Sequence, residues 1–414
     1  MSFAESVRFA NQKAVNALIS ADPYWVDVKK AIDFLPGMTA KTVLHSGPPI
    51  SFTEMTDLHR HAMINAVLFE RLAKTEAEAE AMILSGEIKI DSAFNYPTVG
   101  SGVGVISASV PLLICLDKTS GTLAGAFPHE GRFGGGFCCW GVYSEEIAEN
   151  LRMIGAELLG PIARILRECG GFPLKEIISE SLTMGDENHS SQSASDALFI
   201  RKFIPYALQC VNSSDLLSYL SSAHRFFHNF CQSASRASIL SAVGVQNSSM
   251  VVAAGGNGVE FGIQVAGLPG RWFTAPSPMI RGRYMTEGAR EEDQLPWIGD
   301  SSIVECAGLG GLLSGASPTV CSYRGQSLAD GIAITESMRK ICIGENPAYR
   351  IPNLAFVPSP VGIDVLKVIE SGILPVINGG MIDRNGGWMG AGYARIPMAC
   401  FEKAAKALRE SFEE

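Results

Sequence analysis

The chain has 414 residues, more than one hydrophobic core usually supports, so two or three domains are expected. With 47% hydrophobic and 18% charged residues, the composition excludes a disordered chain. The formal net charge of −9, without any block of Lys or Arg, argues against nucleic acid as a partner.

No apolar run approaches the roughly 20 residues that cross a bilayer, and the longest, residues 110–116, has the length of a strand. The N-terminus lacks the apolar core of a signal peptide. We therefore expect a cytoplasmic protein without membrane association. The ten cysteines include one close pair, Cys138 and Cys139, and no C-x-x-C, which indicates unpaired thiols and argues against a metal site.

The first 143 residues predict a mixed α/β domain. A helix begins at Ser2, where Glu5 completes a capping box. Asp22 and Pro23 predict a helix cap followed by proline at the first helical position. Strands are expected at residues 41–45, 103–109 and 111–116, and helices at residues 53–74 and after Thr75, which Glu78 helps to cap.

Residues 144–246 predict a helical domain, and residues 247–414 predict a second α/β domain. Asn257-Gly258 between two β runs indicates a hairpin. Further helices are expected near residues 302–313, 327–343 and 399–411, and strands at residues 354–357 and 374–377. The predicted fold class is therefore α/β (α+β), with two mixed α/β domains and a helical domain between them, and boundaries at 1–143, 144–246 and 247–414.

The densest group of titratable residues consists of Asp186, Glu187 and His189. Two carboxylates and an imidazole within four residues can transfer a proton, or hold a cation or an amide. The alternative is a helix cap, because Asp and Asn are common capping residues and another helix begins nearby.

His224 and His228 have the spacing of two zinc ligands on a helix. The zinc-protease pattern requires Glu directly after the first His, but Arg225 occupies that position. A partly buried structural pair is therefore favoured over a metal site.

Glycine clusters at residues 100–104 and 131–136 can bind an anion through backbone N–H groups. Neither cluster matches a dinucleotide or P-loop motif, so simple turns are the favoured interpretation.

Arg271 stands beside Trp272 and Phe273, and its guanidinium group suits a carboxylate or phosphate ligand. The alternative is a run of solvated surface charges. Ser302 and Glu305 are interpreted as a capping box, which argues against catalysis by either residue.

Taken in order, several motifs resemble the AllG-like family. They are residues 44–49, 54–56, 183–189, 271–276, 299–301, 362–364, 377–380, 390–392 and 397–402. Each motif alone is weak, but the ordered set is specific and covers nearly the whole chain. The chain is therefore identified as a divergent member of that family.

The resemblance implies a subunit of oxamate carbamoyltransferase, which interconverts oxalurate plus phosphate with oxamate plus carbamoyl phosphate in allantoin breakdown. It implies an FdrA-like partner related to acyl-CoA synthetases, a third subunit and a small anionic substrate, with no cofactor. A homo-oligomer is also expected. His189 is expected to transfer a proton, with Glu187 or Asp186 orienting it. The expected substrate-binding residues are Gly47, Pro48, Glu54, Arg271, Asp300, Ser301 and Asn378.

The chain departs from the family pattern at several segments, and several of the groups lost there are cationic or titratable. The segments are residues 94–96, 100–102, 132–141, 191–192 and 256–258. Two alternatives to strict oxamate use therefore stay open. One is a related acyl or carbamoyl transferase with another substrate, and the other is a non-catalytic scaffold subunit that binds a metabolite.

Overall fold

The computed structural model describes residues 2–129 and 144–413. The helices are α1 (Phe3–Ser20), α2 (Ala31–Phe34), α3 (Asp57–Phe69), α4 (Glu76–Leu84), α5 (Glu145–Met153), α6 (Gly160–Cys169), α7 (Lys175–Thr183), α8 (Ser193–Ala207), α9 (Ser213–Ser222), α10 (Phe227–Leu240), α11 (Ile303–Cys306), α12 (Pro318–Tyr323), α13 (Leu328–Ile341), α14 (Val365–Ser371) and α15 (Met398–Glu413). The strands are β1 (Pro23–Lys30), β2 (Thr42–His45), β3 (Lys89–Ser92), β4 (Thr98–Val99), β5 (Pro111–Asp117), β6 (Leu123–Ala126), β7 (Phe172–Pro173), β8 (Val251–Asn257), β9 (Glu260–Val265), β10 (Leu268–Pro276), β11 (Arg281–Tyr284), β12 (Ile298–Gly299), β13 (Cys342–Ile351), β14 (Val357–Ile363), β15 (Val376–Ile382) and β16 (Trp388–Arg395).

The strands fall into two groups that a run of helices separates along the chain. Near the N-terminus, a five-stranded sheet has the order β4-β6-β5-β1-β7, and β2 pairs with β3 in parallel. Toward the C-terminus, the sheets have the orders β10-β9-β8-β12, β11-β16-β15 and β13-β14. Helices α5 to α10 lie between the two groups in sequence. The expected multi-domain α/β fold is therefore confirmed.

We call residues 2–129 the N-terminal lobe, 144–246 the helical segment and 247–413 the C-terminal lobe. The largest hydrophobic core is continuous across all three, and includes Leu113, Phe230 and Ile377. Helix α10 packs against β5 and β6, and the Phe230 ring lies 4.8 Å from the Trp25 ring. Full burial of one such side chain contributes roughly 2–3 kcal/mol. The boundaries at 143/144 and 246/247 stay a prediction.

Within residues 2–129 and 144–413, no helix combines the length and the hydropathy that a bilayer span requires.

The helix starts expected at Ser2 and Thr75 and the hairpin expected at Asn257-Gly258 are confirmed. The Ser2 hydroxyl accepts the Glu5 N–H, and the Glu5 carboxylate accepts the Ser2 N–H at 2.9 Å. At the start of α4 the Thr75 hydroxyl accepts the Glu78 N–H, while the Glu78 carboxylate accepts the Lys74 N–H at 2.8 Å. Strands β8 and β9 pair in an antiparallel ladder, with Gly258 at φ +87 in the turn between them. Each of these signals acts within a few residues of chain.

The helix expected after Asp22 is wrong, because Pro23 begins strand β1. Alternate residues of this strand are buried, and the Trp25 ring packs 5.3 Å from the Phe203 ring. The period-two burial pattern outweighs the capping signal, since proline is tolerated at the first residue of a strand.

Other expected elements are displaced by glycine and proline. Residues 103–109 form no strand, because the chain turns at Gly102 with φ +56, and Ile106 makes a single bridge to Leu44. The helix near residues 302–313 is divided into α11 and the 3₁₀ segment Gly310–Ala316, with Gly308 at φ +87 between them. The strand at residues 354–357 is also displaced, since Pro352–Leu354 is a 3₁₀ turn and β14 follows it.

The two lobes meet with backbone against backbone at Gly47. Its φ is +77, and a Cβ atom there would lie 2.3 Å from the carbonyl carbon of Gly256 and 2.5 Å from the amide nitrogen of Asn257. Gly299 is similar, since a Cβ atom there would lie 2.7 Å from the Gly102 nitrogen. Contacts this short leave no room for a side chain, so these glycines allow the lobes to close on each other.

We expect Gly47→Ala to destabilise the fold far more than Gly37→Ala. Gly37 has a similar φ of +73 but nothing within 4 Å of its Cβ position, so alanine there adds only left-handed strain of about 1–2 kcal/mol. At Gly47 the same strain is joined by a backbone clash, and the total loss is at least about 3 kcal/mol. Urea denaturation of both variants measures the difference, and equal losses would contradict the close lobe contact.

Candidate functional site

Asp186 and Glu187 are buried carboxylates that organise the turn between α7 and α8. Asp186 accepts the Ser195 N–H at 2.7 Å and the Ser191 hydroxyl at 2.7 Å. Glu187 accepts the backbone N–H groups of residues 189–191, among them the His189 N–H at 2.9 Å. Burial raises the pKa of Glu187. Both carboxylates therefore bind backbone and neighbouring serines, and neither is hydrogen-bonded to the His189 ring.

The group that orients the His189 ring is Glu305. Nδ1 of His189 lies 2.7 Å from Oε1 of Glu305, and the two side chains are 2% and 0% exposed. The same oxygen accepts the N–H groups of Gly311 at 2.8 Å and Asn378 at 2.9 Å. A carboxylate accepts in this contact, so Nδ1 donates its hydrogen and Nε2 is the ring nitrogen that can exchange a proton.

The capping box expected from Ser302 and Glu305 is wrong, and that interpretation concealed Glu305. The Ser302 hydroxyl donates to the Ala254 carbonyl at 2.6 Å, and α11 has no side-chain cap. One signal was available, because Glu305 is the only charged residue within an apolar, glycine-rich stretch, residues 302–321. A carboxylate in such a stretch is costly to bury unless it has strong partners.

A cavity of about 40 Å³ lies where the N-terminal lobe, the helical segment and the C-terminal lobe meet. This volume holds a few water-sized groups. His189 lines it together with Ser101, Arg225, His228, Trp297 and Ser301. The cavity thus brings residues from all three parts of the chain to one enclosed space beside the His189–Glu305 pair.

Two further imidazoles stand next to His189. The His228 ring stacks on the His189 ring at a centroid distance of 5.2 Å, and the His129 ring meets His228 edge-on at 5.8 Å. Burial, with a smaller effect from the Arg225 charge, lowers the pKa of His228 well below its usual value and that of His129 to about 3. Both rings are therefore neutral near neutral pH and add no positive charge to the cavity.

Arg225 brings a guanidinium group to the cavity wall. Its φ of +69 is strained for a residue with a side chain, and its N–H donates to the Asp196 carboxylate at 2.8 Å. Its Nε donates to the Gln192 side-chain oxygen at 2.9 Å, and Nη2 donates to the His189 carbonyl at 2.9 Å. These contacts fix the guanidinium, whose remaining N–H groups suit an anion.

His224 and His228 do not form the pair that their spacing suggests. His224 is exposed and precedes α10, whereas His228 is buried within that helix. In the part of the chain that the structure describes, no cluster of three or more His, Cys, Asp or Glu side chains is arranged to hold a metal ion.

Asp300 joins the two lobes. Its carboxylate accepts the Gly47 N–H at 2.7 Å and the Gly100 N–H at 2.8 Å, and its own N–H donates to the Gly100 carbonyl at 2.7 Å. Burial raises the pKa of Asp300 to about 7. Two of the expected substrate-binding residues, Gly47 and Asp300, are therefore hydrogen-bonded to each other across the interface between the lobes.

The other expected substrate-binding residues divide into two groups. Ser301 lines the cavity, Asn378 donates its N–H to Glu305, and Pro48 is buried at the lobe interface with its carbonyl accepting from the Asn257 amide at 3.0 Å. Glu54 and Arg271 are exposed and lie outside the lining. Glu54 accepts from the Ser51 hydroxyl at 2.6 Å, and Arg271 lies 5.4 Å from the Phe273 ring centroid. The glycines of residues 131–136 and the pair Cys138 and Cys139 lie outside the described residues.

The fold and the cavity define an α/β protein with an enclosed polar site between lobes. The model of the family described as oxamate carbamoyltransferase subunit AllG matches residues 88–301. The chain is 34% identical to the oxamate carbamoyltransferase subunit AllG of Escherichia coli K12, over 98% of both chains. The chain belongs to this family, and the resemblance found in its motifs is confirmed.

Two further relatives share the fold along nearly the whole chain. The uncharacterized protein YahG of Escherichia coli K12 is 35% identical, over 97% of this chain and 86% of YahG. The crystal structure of a conserved protein of unknown function from Enterococcus faecalis V583 superimposes with a TM-score of 0.91, at 32% identity and over 99% of both chains. The arrangement of lobes and helical segment is therefore shared with a solved structure.

The pKa of Asp300 predicts a pH-dependent cost of burying its charge. The folded-state pKa of about 7 lies above the ordinary value near 3.9. The contribution of the protonated Asp300 to the free energy of unfolding is therefore fully present below about pH 4 and is lost as pH rises through 7. Asp300→Asn removes this titration but leaves one N–H donor poorly paired. We expect Asp300→Asn to be less stable than the wild type at pH 5. The difference between their free energies of unfolding narrows by about 2–3 kcal/mol at pH 8.

Urea denaturation of both proteins at the two pH values measures this gap. Glu187 titrates equally in both proteins and cancels in the comparison. A gap that stays constant or widens toward pH 8 would contradict the raised pKa of Asp300.

Proposed function

We propose that the chain contributes the reaction site of an oxamate carbamoyltransferase-type enzyme, in the cavity between its lobes. The observation that carries the proposal is the His189–Glu305 pair beside an enclosed cavity with the Arg225 guanidinium in its wall. Family membership supports the reaction class, since its model describes a carbamoyltransferase subunit. The reaction is oxalurate plus phosphate to oxamate plus carbamoyl phosphate, in allantoin breakdown.

The chemistry requires a proton to move from phosphate to nitrogen. A phosphate oxygen forms a bond to the carbamoyl carbon, and the bond between that carbon and the oxalurate nitrogen breaks. The nitrogen keeps the electron pair and must gain a proton to leave as the amide of oxamate. Nε2 of His189 takes the proton that phosphate loses and donates it to this nitrogen, so no net proton is consumed.

Glu305 keeps the His189 ring in the productive tautomer. Its carboxylate accepts the Nδ1 hydrogen and stabilises the imidazolium that forms while the proton rests on Nε2. Arg225 holds the phosphate oxygens against the wall formed by the helical segment. In this proposal the hydroxyls of Ser101 and Ser301, two further lining residues, donate to anionic oxygens. Proton transfer of this kind contributes about 10²–10⁴-fold in rate.

The proposal includes partners and a location. In it, the chain works in the cytoplasm with an FdrA-like subunit related to acyl-CoA synthetases and with a third subunit. The cavity of about 40 Å³ is smaller than the combined substrates, so in this proposal the cavity widens to admit them.

The small cavity also favours a second candidate function. A subunit that binds one small metabolite for regulation or scaffolding needs less space than a reaction between two substrates. In that case a partner carries out the chemistry, and the His189–Glu305 pair serves only to bind the metabolite. The two functions differ in whether His189 is needed for turnover.

We expect His189→Gln to lower turnover of the reconstituted complex by about 10²–10⁴-fold, because the proton shuttle is lost. Glu305→Gln lowers it by at least about 10-fold, because Nδ1 loses its carboxylate partner. Formation of carbamoyl phosphate from oxalurate and phosphate is the measurement. His224→Gln is the matched control, since this exposed imidazole lies outside the cavity lining, and it leaves turnover unchanged.

Wild-type turnover in both His189→Gln and Glu305→Gln would exclude the catalytic proposal. If the metabolite still binds to the chain alone in that case, the scaffold function is supported instead.

We expect Arg225→Gln to raise the KM for phosphate by roughly 10-fold or more, because a charge-assisted hydrogen bond is worth about 1.5–3 kcal/mol. Arg271→Gln is the control, since it removes the same charge from an exposed position on β10. Steady-state kinetics of the complex with phosphate varied is the measurement. A raised KM in Arg271→Gln alone would instead support the substrate-binding role expected for Arg271 from the sequence.

A further inference from the structure

Two buried polar side chains near Glu305 are not used by the proposed mechanism. Asn378 is fully buried, and neither its Nδ2 nor its Oδ1 has a hydrogen-bond partner within residues 2–129 and 144–413. Arg324 is 7% exposed, and its Nε and Nη2 also have no partner among those residues. A buried polar group without a partner costs about 1–3 kcal/mol. Several such atoms in one region point to a ligand that completes their hydrogen bonds.

These side chains lie near each other. Asn378 and Tyr393 are opposite partners in the β15–β16 ladder, and the Arg324 guanidinium lies 5.1 Å from the Tyr393 ring centroid. The Asn378 N–H binds Oε1 of Glu305, while Oε2 of Glu305 has no hydrogen-bond partner in the described part of the chain. The region therefore combines a cation, a carboxamide and a carboxylate oxygen.

The same strands connect this region to the cavity. Gly380 and Ala391 pair with each other two residues beyond Asn378 and Tyr393, and both line the cavity. Gly379 lines the cavity as well, so the strand segment directly after Asn378 forms part of the cavity wall. Asn378 therefore lies within about 7 Å of that wall along the strand.

The free donors of Arg324 belong to one edge of the guanidinium. Nη1 donates to the Ser314 hydroxyl at 2.7 Å, which fixes the group and leaves Nε and Nη2 side by side. Two adjacent parallel N–H donors match the two oxygens of a carboxylate. Burial lowers the pKa of Arg324, and the nearby charges of Glu187 and Glu305 oppose that effect.

We propose that Arg324, Asn378 and Glu305 form a subsite for a carboxylate joined to a primary carboxamide, the arrangement found in oxamate. Arg324 binds the carboxylate through Nε and Nη2. The Asn378 carboxamide pairs with the ligand amide, donating from Nδ2 and accepting at Oδ1, and Oε2 of Glu305 accepts the other amide hydrogen. The choice of oxamate rests on the proposed function, whereas the pattern of donors and acceptors rests on the unpaired atoms.

A purely structural role for Arg324 predicts different behaviour. If Arg324 only balanced the charges of Glu187 and Glu305, lysine would serve nearly as well. Lysine keeps the charge but lacks the two-donor edge. Arg324→Lys therefore separates recognition of a carboxylate from charge balance.

The test is calorimetric titration of oxamate into the full chain without partner subunits. We expect Arg324→Lys to weaken oxamate binding by about 10-fold or more, and Arg281→Lys, a change at an exposed cation on β11, to leave it unchanged. Oxamate affinity equal to wild type in Arg324→Lys, or no oxamate binding by the wild type, overturns the proposal. Because no turnover is measured, this result is independent of the His189→Gln assay.

Ligand comparisons on the wild type keep the test decisive even if Arg324→Lys does not fold. Pyruvate has a methyl group where oxamate has its amide nitrogen, so it leaves the acceptors of Asn378 and Glu305 unpaired. We expect pyruvate to bind at least about 10-fold more weakly than oxamate. Equal affinity for the two ligands overturns the amide-binding role. Titration with inorganic phosphate tests the other anion. If Arg324→Lys weakens phosphate binding and leaves oxamate binding unchanged, the carboxylate assignment is overturned.

Discussion

One oxygen of a buried carboxylate, Oε1 of Glu305, accepts from three separate parts of the chain. The His189 ring, the Gly311 N–H and the Asn378 N–H all meet it within 2.9 Å. A Cβ atom on Gly310 would lie 2.3 Å from this oxygen, so a side chain there would displace the carboxylate from its donors. Removing a carboxylate from water is costly unless donors replace its hydration. The same donors therefore keep the ion buried and fix the geometry of the site.

Signals that act within a few residues predict structure well in this chain, and the site depends on contacts of another kind. Ser2 with Glu5, and Ser327 with Asp330, cap their helices because all the partners lie within one turn. The His189–Glu305 contact joins residues 116 positions apart, which no local pattern encodes. At Glu305 the local pattern is misleading, because its spacing from Ser302 imitates a capping box while tertiary contacts bind both side chains elsewhere.

The cluster of titratable residues in the sequence identifies the segment that carries His189, but it does not identify Glu305 as the partner of the His189 ring. Asp186 and Glu187 lie in the turn that carries His189, yet their lone pairs accept from groups no more than nine residues away. Arginine shows the same limit, since Arg271 stands beside aromatic residues in sequence but is exposed. Arg225 reaches the cavity because a strained backbone and the Asp196 carboxylate hold it there. Neither restraint is visible in the order of residues.

The walls of the cavity divide the roles in the proposed function. His189 and Arg225 line the cavity from the helical segment, and Glu305 holds the His189 ring from the C-terminal lobe. Ser101 and Gly102 belong to the opposing wall from the N-terminal lobe, in a segment that the sequence motifs lead us to expect departs from the family pattern. The Asp300 carboxylate accepts the Gly47 N–H at 2.7 Å, which keeps the two walls in contact. A change in the side chains of the N-terminal wall therefore alters the space beside His189. In the proposed function, proton transfer and the Arg225 contact therefore come from one wall, and the opposing wall sets the shape of the space beside them.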